Sequence, residues 1–179
     1  MKIAIFGGSF DPPHIGHEKI IELLFQSLDI DYIVVVPTYL SPFKKKSFLK
    51  PHDRLDLINL LFSDNKKIIV SDYEVNCGFA VPTINTVKYL SSKYDLTKIY
   101  LVIGDDHLDT LHLWDSYKEL KNLVEFVVIN RHNKQTIYKS LPLNIDISSS
   151  KLRQELDLDY IPTKIKEEVT KYWKKEYKK

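Results

Sequence analysis

The sequence holds a single cysteine, only five glycines and a single methionine among its 179 residues. Cys77 has no second thiol to pair with, which excludes an intramolecular disulfide and suits a reducing cytosol. Five glycines and eight prolines are too few for a fibrous or low-complexity chain. No apolar run approaches the ~20 residues of a membrane span, and no basic-then-apolar leader precedes Lys2. Neither a membrane nor an export signal is therefore expected. The formal net charge of +2 gives no broad basic stripe, so nucleic acid is not an expected partner. What remains is an ordinary globular composition. It reads as one cytoplasmic domain over residues 1–179, with a lysine-rich end over 174–179 expected to fray.

Short β-branched runs alternate with longer amphipathic stretches. Residues 3–6, 32–36, 67–71, 99–103 and 125–129 read as strands, mostly continuous apolar runs as in strands covered on both faces, and 144–147 is a sixth candidate. Apolar stripes mark helices between them: Ile20, Leu23, Leu24 and Leu28; then Leu55, Ile58, Leu61 and Phe62; then Ile84, Val87 and Leu90. Residues 162–172 read as a closing helix with proline at its start. The alternation predicts an α/β fold, a doubly wound parallel sheet with right-handed crossovers. In a strand order 3-2-1-4-5, ligands meet a crevice at the carboxyl ends of the first and fourth strands. Chemistry is then expected after Phe6 and after Ile103.

The first of those places is rich. Gly7-Gly8 follows the first strand and lets anionic oxygens approach backbone amides, with Ser9 and Phe10 continuing the turn. Asp11-Pro12-Pro13 forces an extended segment, and a helix is expected to begin near His14 or Ile15. An early helical turn carries unpaired N–H groups and attracts anions. His14 and His17, three apart, place two imidazoles on one side of that turn, with Gly16 keeping it free of bulk. A zinc site lacks a third ligand of suitable spacing, and no Gly-Lys-Ser/Thr follows, so this is not a P-loop. A second cluster, Ser148, Ser149 and Ser150, precedes a short helical run over 151–156. Its serines cap helix amides that can instead hold phosphate, and Arg153 points back with a permanently charged fork.

Gly8-Ser9-Phe10-Asp11 with His14-Ile15-Gly16-His17 resembles the HxGH motif of the nucleotidyltransferase superfamily of adenylyl- and cytidylyltransferases. Residues 147–153 are similar to its ISSTxxR motif, with Ser150 where threonine is commoner. Gly104 and Asp105 in a Gly-x-Asp pattern, then Trp114, then Arg131 after the next strand, resemble nicotinate-nucleotide adenylyltransferases over nearly the whole chain, Pro37, Pro42, Lys44, Arg54, Thr83 and Thr86 included. Phe43 stands where that family commonly has histidine, and Val81-Pro82 where it often has Ser-Tyr.

The resemblance implies a Rossmann-like fold and the reaction of ATP with nicotinate mononucleotide to give deamido-NAD and pyrophosphate, in NAD biosynthesis. It implies that His17 meets the α-phosphate, His14 the β or γ, and that Lys44 and Arg153 assist the leaving group. Gly7, Gly8, Ser9, Phe10, Gly104, Asp105, Ser148, Ser149 and Ser150 would bind nucleotide. Asp105 would accept from ribose hydroxyls, Trp114 would stack on the pyridine ring, and Thr83 and Arg131 would contact the mononucleotide. Mg²⁺ would ride on the ATP phosphates with few protein ligands. A homo-oligomer is an assembly the chain could form. Phosphopantetheine adenylyltransferase shares both phosphate motifs, and a non-catalytic module sensing ATP or NAD is a third reading.

Overall fold

The computed structural model describes residues 1–40, 46–145, 147–154 and 157–177. Six strands form one sheet: β1 (Lys2–Gly8), β2 (Tyr32–Pro37), β3 (Ile68–Val70), β4 (Lys98–Gly104), β5 (Glu125–Asn130) and β6 (Lys139–Pro142). Each pairs in parallel with its neighbours in the order β3-β2-β1-β4-β5-β6. The helices are α1 (Ile15–Ser27), α2 (Pro51–Phe62), α3 (Tyr73–Cys77), α4 (Thr83–Lys93), α5 (Tyr117–Leu123), α6 (Ser149–Gln154) and α7 (Lys166–Tyr177). The doubly wound parallel sheet and its expected order are both present.

Period-two alternation in the strands divides the core. Ala4 and Phe6 of β1 face a cluster with Leu24 of α1, Ile58 of α2 and Val169 of α7. Ile3 and Ile5 face a second cluster, with Val87 of α4 and Leu120 of α5. Helices on both faces explain why β1, β2 and β4 read as unbroken apolar runs. At roughly 25 cal/mol per Å² of apolar surface, each fully buried aliphatic side chain contributes about 1.5–3 kcal/mol before chain entropy is counted. None of the described helices is long and apolar enough to cross a membrane.

Three expectations shift. The sixth strand is β6, not residues 144–147. Only Leu141 of β6 is buried, so this edge strand has no apolar run to betray it. Ile147 instead packs into the first core cluster, with Ile145 against it, and Asp146 lies outside the described residues. The closing helix starts as a 3₁₀ turn at Thr163–Ile165 and continues as α7. Its buried residues Ile165, Val169 and Trp173 recur every four positions, one stripe against the core. The run expected over 151–156 is α6, which already begins at Ser149; residues 155 and 156 of that expectation lie outside the described residues.

Candidate active site

The sheet brings the loops after β1 and β4 side by side because those strands are direct neighbours. Between them opens a cavity of about 720 Å³, a size suited to small ligands. Gly7, Gly8, Ser9 and His17 line its α1 side, Thr83, Thr86 and Glu74 its α4 side, and Trp114, Asp106 and Arg131 also border it.

The α1 side is held from several directions. His14 is the N-cap of α1, with extended backbone, and its N–H donates to His17 Nδ1 at 3.1 Å. That bond satisfies a helix-start amide and fixes the tautomer, because an accepting Nδ1 leaves the His17 proton on Nε2. The two rings stack with centroids 3.8 Å apart. Gly16 is required beside them: a Cβ there would lie 2.9 Å from His14 Nδ1 and 3.1 Å from Ile147 Cγ2. Burial, then the Arg131 charge, pushes His14 down to about 3. Burial, then His14 and Arg131, holds His17 well below the usual histidine range. Both imidazoles are therefore neutral near pH 7, and His14 Nδ1 is buried without a hydrogen-bond partner among the described residues.

The loop between β1 and α1 is clamped by groups buried in the protein. The Asp11 carboxylate accepts from the amides of Phe48 and Leu49, each at 2.8 Å. Arg54, fully buried on α2, donates to the carbonyls of Ser9 at 2.5 Å, Tyr39 at 2.8 Å and Leu49 at 3.4 Å. The second motif closes on the same loop: Ser149 Oγ donates to the Pro12 carbonyl at 3.1 Å, and Arg153 donates to the Asp11 carbonyl at 2.9 Å. Arg153 also reaches Ser150 Oγ at 2.8 Å, as its spacing on α6 suggests, while Ser148 Oγ accepts from the Lys151 amide. Two segments more than 130 residues apart thus meet at one place, as their sequences suggested. Lys44, with Pro42 and Phe43, lies outside the described residues.

Two sequence assignments need correction. Asp105 does not face the cavity. It is 1 % exposed, and its carboxylate accepts from the amides of Arg131 and His132 and contacts His132 Nδ1 at 3.0 Å. It ties the turn after β5 to the end of β4, which positions Arg131. Its neighbour Asp106 lines the cavity instead, with a side chain 71 % exposed, and the Gly-x-Asp spacing read strictly names that residue. Phe10 is the second case. Its ring is buried edge-on against Phe6 and 4.8 Å from His17, so it braces the histidine and does not line the cavity. Its φ of +46° lies in the left-handed region, uncommon for an aromatic residue.

Gly104, Thr83, Trp114 and Arg131 line the cavity wall. Trp114 meets the edge of His107, centroids 5.6 Å apart. Ser148, Ser149 and Ser150 stand at the start of α6, against the loop rather than on the cavity wall. Sequence reasoning missed Glu74, on the five-residue helix α3, too short to show a period. It also gave no role to the buried clamps of Asp11 and Arg54.

Comparisons with known proteins agree with this geometry. The sequence profile of the cytidylyltransferase-like family matches residues 5–155. A probable nicotinate-nucleotide adenylyltransferase of Aliarcobacter butzleri is 43% identical over 173 residues, 94% of this chain and 95% of that one. Its counterpart in Sulfurimonas denitrificans is 46% identical over 177 residues, 98% of this chain and 96% of that one. Among solved structures, Plasmodium falciparum nicotinic acid mononucleotide adenylyltransferase complexed with NaAD shares the fold at a TM-score of 0.75 and 24% identity, over 96% of this chain and 95% of that one. The chain therefore belongs to the cytidylyltransferase-like family and, within it, to the nicotinate-nucleotide adenylyltransferases.

Proposed function

We propose that this chain transfers the adenylyl group of ATP to nicotinate mononucleotide, giving deamido-NAD and pyrophosphate. The observation that carries the reading is the meeting of residues 7–17 with residues 147–153 around neutral, pre-oriented imidazoles beside a cavity bordered by Trp114.

A phosphate oxygen of the mononucleotide attacks the α-phosphorus in line. The new P–O bond forms as the bond to the β-phosphate bridge breaks, and pyrophosphate leaves with that electron pair. The protein supplies position and charge stabilisation. His17 offers Nε2–H to the α-phosphate, and His14 serves the β- or γ-phosphate. The amides of Gly7, Gly8 and Ser9 and those at the start of α6, Ser148 to Ser150, complete the donor set. Arg153 and Lys44 stabilise the departing pyrophosphate. Arg131 takes the mononucleotide phosphate, Thr83 and Trp114 the pyridine ring, and Asp106 beside Gly104 takes over the ribose contact expected of Asp105. Neutral imidazoles are sound donors here, since donors fixed in place act on developing charge without reorganising.

Among the described residues, no group of three or more His, Cys, Asp or Glu side chains is arranged to hold a metal ion. The imidazoles, amides and cations assigned to the phosphates act as hydrogen-bond donors and are poor ligands for a hard cation. We accordingly assign Mg²⁺ to the ATP phosphates, as part of the co-substrate. The cytoplasm is the setting in which these substrates and a lone thiol coexist. Incubation with ATP and nicotinate mononucleotide is expected to yield deamido-NAD and pyrophosphate in equal amounts, read by mass spectrometry. Absence of that product overturns the reading.

A further inference from the structure

Two carboxyl groups beside the cavity are buried, and their surroundings treat them in opposite ways. Burial pushes Glu74 up to about 7, against the pull of its 2.6 Å hydrogen bond from the Thr86 hydroxyl. Burial opposes ionisation of Asp105 too, but the amide and ring of His132 and the Arg131 amide outweigh it and hold that carboxyl below the usual aspartate range. Asp105 is therefore a carboxylate near pH 7, and what it holds is backbone.

The strand register explains its reach. β4 and β5 run parallel with Gly104 opposite Ile129, so the first residue after β4 meets the turn after β5. Asp105 Oδ2 accepts from the Arg131 amide at 3.0 Å and from the His132 amide at 2.7 Å, and His132 Nδ1 lies 3.0 Å from Oδ1. Within the turn, Asn130 Nδ2 donates to the Lys134 carbonyl at 2.8 Å, and the Lys134 amide donates back to Asn130 Oδ1 at 3.0 Å. Asn130 thus closes the turn on itself, and Asp105 fastens it to the end of β4 at Arg131.

Because Asp105 binds Arg131 by its amide, the guanidinium keeps its charge and its forked donors. That group borders the cavity, and its Nη1 donates to the Ile147 carbonyl at 3.4 Å, just before α6. Ile147 and His14 both crowd the Gly16 position, and the Arg131 charge is felt by both histidines. The fork therefore reaches from the cavity wall to the head of the second phosphate motif, beside the imidazole pair. In-line transfer brings the attacking phosphate against the α-phosphate, so a cation in this place meets the attacking group. A long, flexible arginine reaches a defined spot only when its backbone is held.

We propose that Asp105 is a positioning residue for adenylyl transfer, acting through Arg131: by holding the Arg131 and His132 amides it aims the guanidinium at the mononucleotide phosphate as that phosphate attacks. This rests on the reading of the acceptor as nicotinate mononucleotide. Asp105 is 1 % exposed, so it acts on substrate through Arg131 and not by contact.

A double-mutant cycle in steady-state kinetics tests this. Asp105→Ala is expected to lower kcat/KM for nicotinate mononucleotide by about 10–100-fold, the order that a misplacement of about 1 Å costs. Arg131→Met is expected to lose at least as much. In the Arg131→Met background, Asp105→Ala should cost less than about twofold more, because the group it aims is gone. Asp105→Asn should regain most of the activity, since both amides share one oxygen. Losses that multiply in the double variant, or Asp105→Asn as impaired as Asp105→Ala, overturn the proposal. If Asp105→Ala does not fold, hydrogen exchange on the wild type decides. The Arg131 and His132 amides are then expected to be protected before substrate binds, and exchange at free-loop rates overturns the proposal. Wild-type kinetics in Asp105→Ala reject this inference alone, whereas no deamido-NAD from the wild type rejects the parent reading as well.

Discussion

On the α1 side of the cavity, Asp11 takes two amides, Arg54 three carbonyls, and His17 Nδ1 the His14 amide, and His14 Nδ1 is the buried polar atom without a partner there among the described residues. On the α4 side, Glu74 leans on Thr86, and Trp114 meets His107 by its edge. One end is fixed before substrate arrives, and the other leaves its recognition to be completed by the substrate. Donors aimed at developing charge act best when they need no rearrangement. A flat ring, by contrast, is held adequately by surface and shape. Damage at the first end should fall on rate and folding, and damage at the second on affinity.

His17→Ala removes a fixed donor and should lower kcat by ~10²–10³ with the fold retained by circular dichroism. Near-normal turnover would remove His17 from its role. Arg54→Ala leaves buried carbonyls of the loop unpaired and should cost about 2–4 kcal/mol in urea unfolding. A cost below 1 kcal/mol would show that Arg54 does not hold the loop. The two ends also titrate with opposite sign. His14 and His17 bind protons less readily folded than unfolded, so they stabilise the fold above ~6.5 and lose that contribution as pH falls. Glu74 binds its proton more readily folded, so its contribution is greatest below the ordinary 4.5 and is lost as pH rises toward about 7. Between pH 6.5 and 5 proton uptake by the unfolded histidines should cost stability, and Glu74 should offset part of that loss. Stability should therefore fall with acid, and the slope should steepen in Glu74→Gln. An unchanged slope would show that the two ends do not oppose each other. Smallest is Trp114→Leu, which should raise KM for the mononucleotide by roughly 2–12-fold through lost stacking, with kcat little changed. A fall in kcat alone would place Trp114 in the chemistry and blur the contrast.

The same contrast governs what the sequence reveals. Residues 7–17 are legible because contiguous chain builds that end: a strand, two glycines, a turn and a helix start. The sheet order follows from buried parallel strands that read as apolar runs. Asp105 and Asp106 are adjacent and chemically alike, and only the turn after β4 decides which is buried and which faces the cavity. β6 is an exposed edge with one buried residue, so periodicity cannot mark it. The α4 end draws on Glu74, Thr83, Thr86 and Trp114, gathered by folding from a five-residue helix, a helix start and a loop. Arg54 has no role legible in the sequence until three carbonyls are found around it.

Competition among nicotinate mononucleotide, nicotinamide mononucleotide and phosphopantetheine for ATP, with every adenylylated product quantified, tests the central claim most directly. The account predicts that deamido-NAD dominates and that dephospho-coenzyme A does not form. Preferential adenylylation of phosphopantetheine, or no adenylylated product from any of the three, would contradict it.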